Sequence, residues 1–323
     1  MPRGLLPAAG PPDLELVAAA CQRAPMALQM LGDRWALLIL RDAFMGARRF
    51  SEFQQLSGAP SGTLTARLRT LVDQGVLYRN PLGTNSGSFE YRLTDRGLDL
   101  TDFALCIWAW ELKWGGDSGL PPALLHRGCG ALARPSVVCR GCAKPVHPQD
   151  IAYEPGPGYA SRLPNRAVSR RRESRRLRMA PNVDRTFHRV IDVFGDRWSS
   201  RLLAALFMGV SRYDELGKSL GISTNILSER LRRLVGYGIV ERREGLDQGY
   251  ALTNIGRDLF PAVIAIHRWS NRWAAGQAGA ALLIRHVPCG APLDPVTVCH
   301  RCEQPLLLHD LSLRTTAGIR RIR

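Results

Sequence analysis

The sequence predicts a mainly helical α+β chain made of two copies of one unit in tandem, each copy followed by a small segment with three cysteines and a histidine. Three observations carry that reading. Gly32-Asp33-Arg34-Trp35 returns as Gly195-Asp196-Arg197-Trp198, an offset of 163 residues. Leu64, Leu68 and Leu71, spaced by four and three, return as Leu227, Leu231 and Leu234. The spacing His-x2-Cys-x9-Cys-x2-Cys occurs at His126, Cys129, Cys139 and Cys142 and again at His286, Cys289, Cys299 and Cys302.

Residues 1–20 hold a short apolar patch broken by prolines and read as a flexible leader, too poor in charge and too interrupted for a signal peptide. Residues 21–118 form the first folded unit. Ala24–Phe44 reads as a helix interrupted near Gly32, Ser51–Leu56 as a short helix, and Ser61–Gln74 as a helix with its leucines on one buried face. Val76–Asn80 and Phe89–Leu93 alternate like strands, joined by the Pro/Gly/Asn/Ser-rich stretch Pro81–Ser88. Arg96–Trp114 is a further helix with Phe103, Ile107, Trp110 and Trp114 on one face. Aromatics at that spacing belong to a core, as do Trp35 and Trp198, and Trp114 and Trp273 suit packing between the copies. The first cysteine segment spans 119–155 and an Arg-rich linker spans 156–181. The second unit spans 182–277, with a tighter hairpin turn around Glu244–Gly249. The second cysteine segment (278–311) and a basic, frayed tail (312–323) complete the chain. Past the strands the offset falls to 159, as from Trp110 to Trp269, so the second hairpin loop is the shorter.

A helix buried along one side, with a polar and arginine face and a tight turn before it, is what a helix-turn-helix presents to a major groove; the hairpin makes it winged. Net charge points the same way. At +16, with Lys113, Lys144 and Lys218 the only lysines among 44 basic residues, the chain favours a polyanion and the bidentate contacts of arginine. Ser61, Gly62, Thr63, Thr65 and Arg67 are the candidate base-reading residues of the first copy; Thr224, Asn225, Ile226, Ser228 and Arg230 are those of the second. Arg48, Arg49, Arg69, Arg212 and Arg232 suit phosphates, which fix register without reading sequence. The two faces differ, so the two half-sites should differ.

The strings GDRWALLILRDAFMGARRFSEF, LTARLRTLVDQGVLYR and FEYRLTDRG, behind Cys21 and ahead of a tryptophan, resemble the HxlR-type family of bacterial winged-helix transcription regulators. The second copy, with FGDRWSSRLLAALFMGVSRYDEL, ISTNILSERLRRLVGYGIVERR and YALTNIG, is similar to the same family. The resemblance implies a double-stranded DNA partner and dimers built through terminal helices; with no apolar run approaching ~18 residues and no signal peptide, the expected location is cytoplasmic, at the nucleoid. Family members usually carry one such domain; two in tandem imply an intramolecular pseudo-dimer, with a second chain as a further partner. The resemblance also makes Cys21 a candidate redox thiol, against a plain buried thiol; the matching position in copy two is Asp184.

Three soft thiolates and one imidazole suit a closed, structural zinc site, and identical spacing in two divergent segments argues that the four positions are constrained together. Each segment, taken as its own Cys3His knuckle or ribbon, predicts two Zn2+ ions per chain that supply folding energy. The alternatives are disulfides or unligated thiols; three cysteines cannot all pair within one segment, and a cytoplasmic chain keeps them reduced. His126 and His286 are preferred as fourth ligands over His147 and His309, whose spacings do not repeat. Cys106 reads as a buried structural thiol. No HExxH, P-loop or dinucleotide fingerprint occurs, so the chain is not expected to be an enzyme. The linker holds eight arginines between Ser161 and Ala180 and reads as a disordered tether able to follow phosphates. The rival functions are a zinc-knuckle interaction scaffold, a non-specific DNA-packaging protein and a thiol-based redox regulator.

Overall fold

The computed structural model describes residues 12–23, 32–82, 88–115, 123–159, 188–245, 248–273, 275–276, 279–315 and 318–321. Helix α1 (Leu14–Arg23) leads into the helical part of the first copy: α2 (Arg34–Phe44), α3 (Phe50–Ser57) and α4 (Ser61–Asp73). The hairpin of β1 (Leu77–Pro81) and β2 (Phe89–Leu93) follows, then the single turn α5 (Asp95–Leu98) and the long α6 (Thr101–Trp114). The first cysteine segment contributes β3 (Ala123–His126), β4 (Ala131–Leu132), β5 (Pro135–Cys139) and β6 (Ile151–Pro155). The second copy runs α7 (His188–Phe194), α8 (Arg197–Phe207), α9 (Tyr213–Leu220), α10 (Thr224–Gly236), β7 (Val240–Arg243), β8 (Gly249–Leu252), α11 (Asn254–Arg257) and α12 (Phe260–Trp273). It ends in β9 (Leu282–His286), β10 (Ala291–Pro292), β11 (Pro295–Cys299), β12 (Leu311–Thr315) and β13 (Gly318–Arg321).

The repeated residues explain the repeated elements. Asp33 caps α2 by accepting from Ala36 N–H at 3.1 Å, and Asp196 caps α8 by accepting from Ser199 N–H at 3.1 Å. Helices α3 and α9 end in left-handed glycines, Gly58 (φ 64°) and Gly221 (φ 60°), which turn the chain into the next helix. Thr94 and Thr253 cap the turns after the hairpins, and a Cβ on Gly97 or Gly256 would meet the carbonyl oxygen of Val76 or Ile239 at 2.3 or 2.2 Å. Leu64, Leu68 and Leu71, with Phe53, are fully buried, as are Leu227, Leu231 and Leu234. What the sequence reads as one helix, Arg96–Trp114, is two, broken at Asp99 and Leu100.

The copies are interleaved. Helices α6 and α12 pack against each other, and their contacts recur with the copies exchanged. Trp110 Nε1 donates to Ile255 O (2.9 Å) and Trp269 Nε1 to Arg96 O (2.8 Å). Trp114 Nε1 donates to Asp258 and Trp273 Nε1 to Asp99, both at 2.8 Å. Burial of Trp110 and Trp269 contributes on the order of 3 kcal/mol apiece. Asp33 and Asp196 form a β-bridge between the two helix entries. Strand β5 pairs antiparallel with β11, β3 with β12, and β6 with β9, so every one of these ladders joins the two copies.

Two segments depart from the sequence reading. Residues 14–20, read as leader, form α1 together with residues 21–23 of the first unit, and its Leu16, Val17, Ala19 and Cys21 are buried against α8 and α9 of the second copy. The tail is not frayed where it is described: β12 adds to β3 of the first copy and β13 to β12. The Arg-rich stretch Ser161–Ala180 and residues 1–11 lie outside the described residues.

Candidate DNA-binding face and metal centres

The second helix of each helix-turn-helix presents its first two turns to solvent. Ser61, Gly62, Thr65 and Arg69 of α4 are exposed and Thr63 is half-buried; on α10, Thr224, Asn225 and Arg232 are exposed, with Ile226 and Ser228 half-buried. The Ser228 hydroxyl is already engaged by Tyr213 Oη at 2.8 Å, and Thr65 donates back to Ser61 O at 2.9 Å. Arg49 and Arg212 stand exposed at the starts of α3 and α9. Among the described residues Arg69 reaches only Asp73 (3.8 Å), and Arg212 lies near Asp214 (3.4 Å) and Glu215 (4.0 Å). These loose exposed pairs would exchange readily for phosphate. In the first hairpin Arg79 is exposed and stacks over Phe89 at 4.8 Å.

Three of the expected contact residues point elsewhere. Arg67 donates to Asp33 through both Nε (2.9 Å) and the terminal nitrogen (2.8 Å). Arg230, 5% exposed, pairs with Asp196 at 2.5 Å and with Glu229 at 2.9 Å. The aspartate of the repeated Gly-Asp-Arg-Trp string therefore caps one helix and clamps the arginine of another. The signal was present: Arg67 stands three residues after Leu64 and four before Leu71, beside the buried stripe rather than opposite it. Arg48 is likewise withdrawn, its guanidinium donating to Ala43 O and Ala47 O, both at 2.9 Å.

The eight expected metal ligands do converge, but in exchanged pairs. His126 and Cys129 meet Cys299 and Cys302, while Cys139 and Cys142 meet His286 and Cys289; in each group the ligand atoms lie within 4.8 Å of one another. The expectation of one self-contained knuckle per segment is therefore corrected: each group draws two ligands from each copy. The cause is the β5–β11 pairing, which runs the two segments antiparallel and sets Cys139 opposite Pro295 and Cys299 opposite Pro135. Cys129 Sγ stands 3.9 Å from Cys299 Sγ, and Cys139 Sγ 4.0 Å from Cys289 Sγ. His126 Nδ1 is 3.4 Å from the sulfurs of Cys129 and Cys302; His286 Nδ1 is 3.4 Å from Cys142 and 3.3 Å from Cys289. Sulfurs on a tetrahedron with metal–sulfur bonds of about 2.3 Å would stand roughly 3.8 Å apart, so the donor sets fit a four-coordinate ion. Backbone N–H groups also favour thiolate. Burial opposes ionisation of Cys299, but the amides of Arg301 and Cys302 and the His126 ring outweigh it and bring the thiol down to about 7. The Ala291 amide likewise lowers Cys289. His147 and His309 belong to neither group, and both are exposed.

The model of the family described as HxlR-like helix-turn-helix matches residues 30–118 and 193–278, together more than half of the chain. The chain belongs to the HxlR-like family. An uncharacterized HTH-type transcriptional regulator of Mycobacterium tuberculosis (strain ATCC 25618 / H37Rv) is 39% identical over 142 residues, covering 42% of this chain and 87% of that protein. The uncharacterized HTH-type transcriptional regulator YvaP of Bacillus subtilis is 34% identical over 95 residues, 29% of this chain and 88% of its own. Among solved structures, PA1607, described as a candidate transcription factor, is similar at 38% identity and a TM-score of 0.32, over 37% of this chain and 84% of that one.

In this HxlR-like chain Cys21 has the surroundings of an inert thiol. It is 2% exposed, packed between the copies with its sulfur 3.8 Å from Arg201 O, and burial pushes its pKa up to about 12 despite the Arg201 charge. A protonated, shielded thiol is neither a good nucleophile nor readily oxidised. Cys106 is also buried and raised by burial, as expected of a structural thiol. Among the described residues no helix is long and apolar enough to cross a membrane.

Proposed function

We propose that the protein is a transcriptional regulator that binds DNA with α4 and α10 as an intramolecular pair, and that zinc in the two Cys3His centres staples that pair together. The observation that carries the reading is the division of labour on each second helix. Its leucines and Arg67 or Arg230 are taken up by the core, while its first-turn polar residues and Arg69 or Arg232 remain open to a groove. Membership of the HxlR-like family supports the same reading. Thr224, Asn225 and Ile226 replace Ser61, Gly62 and Thr63, so the second half-site would be read differently; Asn225 can pair with adenine and Ile226 can meet a thymine methyl. Arg49, Arg69, Arg212 and Arg232 would hold phosphates.

The zinc reading rests on the donor set. Three thiolates and an imidazole per centre leave no position for water, so the ions would act structurally. The test of the whole reading is selection of bound sites from a random DNA pool by zinc-loaded protein at near-physiological salt. A two-part, imperfectly symmetric site bound by one chain is the expected result. Four half-sites would mean that two chains assemble. No enriched site, with binding that collapses as salt rises, would defeat the sequence-specific reading and leave only electrostatic attraction.

A further inference from the structure

The second helix of each helix-turn-helix carries a hydroxyl at its fifth residue, Thr65 on α4 and Ser228 on α10. Thr65 is exposed and Ser228 half-buried. A hydroxyl has one proton and two lone pairs, so a free one meets either a donor or an acceptor on a base edge and discriminates poorly. Neither of these two is free.

Thr65 donates its proton to Ser61 O at 2.9 Å. The second copy reaches the same end by another route. Tyr213, where the first copy has Phe50, brings its hydroxyl to 3.0 Å from Thr224 O and 2.8 Å from Ser228 Oγ. A carbonyl can only accept, so the tyrosine proton goes to Thr224 O. The Ser228 proton must then go to Tyr213 Oη. Thr224 matches Ser61, so the hydroxyl proton of each helix is spent toward the same carbonyl, directly from Thr65 and through the tyrosine from Ser228.

We propose that Thr65 and Ser228 meet DNA as hydrogen-bond acceptors only, and that each selects an exocyclic amine, adenine N6 or cytosine N4, at one base position of its own half-site. Tyr213 is the positioning residue that fixes this polarity in the second copy. This rests on α4 and α10 being the reading helices, as proposed above, and it adds the sign of one contact per half-site. Turning either proton toward guanine O6 or thymine O4 would first break a hydrogen bond inside the protein.

Site selection with the wild type, Thr65→Val and Ser228→Ala, followed by binding to duplexes with altered bases, tests this on the full chain. Each variant should lose its preference at one position, the two positions lying in opposite half-sites. At those positions purine replaces adenine, or 2-pyrimidinone replaces cytosine, which removes the amine. The wild type should then bind roughly threefold to tenfold more weakly, the worth of one hydrogen bond, and the matching variant should lose nothing further. Tyr213→Phe combined with Ser228→Thr rebuilds the arrangement of the first copy and should keep the amine preference. Unchanged wild-type binding to the altered duplexes, full preference retained in either single variant, or a preference for a base acceptor in the rebuilt pair would overturn the proposal. A chain that selects no site at all defeats the DNA-reading function and this contact with it. A selected site indifferent to both Thr65 and Ser228 defeats the acceptor assignment alone.

Discussion

The first and second copies agree where they hold each other together and differ where they face outward. Asp33 with Arg67 and Asp196 with Arg230 are the same clamp twice; the four tryptophan donors make the same crossing bonds twice. The helix faces, by contrast, read Ser61-Gly62-Thr63 in one copy and Thr224-Asn225-Ile226 in the other. Identity between repeats thus marks the scaffold, and divergence marks the sites where the two halves can act differently.

The largest expected effect comes from breaking the exchange of metal ligands. Metal analysis of the purified chain should give two zinc ions, and Cys139→Ser should lower that to one and cost several kcal/mol of stability. Adding Cys289→Ser should cost no further ion, because both residues serve one centre; adding Cys129→Ser instead should remove the second. If the centres were self-contained, the pattern would reverse.

Next come the clamps. Asp196→Ala removes a helix cap and takes from the buried Arg230 its aspartate partner, so a loss of about 3 kcal/mol in chemical denaturation is expected. Asp33→Ala should cost less, about 2 kcal/mol, because Arg67 is more exposed and can reach water. Equal effects would mean that the two clamps are not graded by burial.

On DNA the differences should be smaller and confined to one side. Asn225→Ala is expected to weaken binding by about 1–3 kcal/mol at one base position of one half-site. Arg69→Ala and Arg232→Ala should each lower the salt dependence by about one ion without changing the selected sequence. Arg67→Ala should instead lower stability; a changed base preference in a fully folded variant would return it to the reading face.

A separate effect concerns acid. Burial holds the His267 imidazole down at about 4, against 6.5 when unfolded, with the Leu282 carbonyl opposing the shift. The neutral ring's contribution is complete above pH 6.5 and is lost as pH falls toward 4, because the unfolded chain takes up the proton first. Thermal unfolding between pH 7 and 4.5 should lose a few degrees more in the wild type than in His267→Gln. The first copy, with Trp108 at that position, has no counterpart to this loss.

Much of this is legible in the amino-acid sequence alone. Leucine spacing fixes the buried face of α4, alternation finds β1 and β2, and repetition finds all eight members of the two Cys3His groups. The pairing of those ligands is not legible there, because identical spacings in two repeats fit exchanged and unexchanged partners equally well. Only the β5–β11 register decides between them. Helix α1 escapes because its mates, α8 and α9, lie far along the chain in the second copy, and nothing in LELVAAACQR announces them. The inward turn of Arg67 is missed because charge suggests solvent where helical period places it beside the leucines.

The exchanged centres also set a schedule for biosynthesis. His126, Cys129, Cys139 and Cys142 leave the ribosome long before their partners, and neither donor set closes until Cys289 and then Cys302 have been made. Strand β3 waits longer still, for Leu311–Thr315. A nascent chain carrying a finished first winged helix thus still lacks half of each donor set, and a product cut short before residue 286 would hold four thiol and imidazole donors from one half with no mates. Synthesis of the second repeat is the event that completes the first.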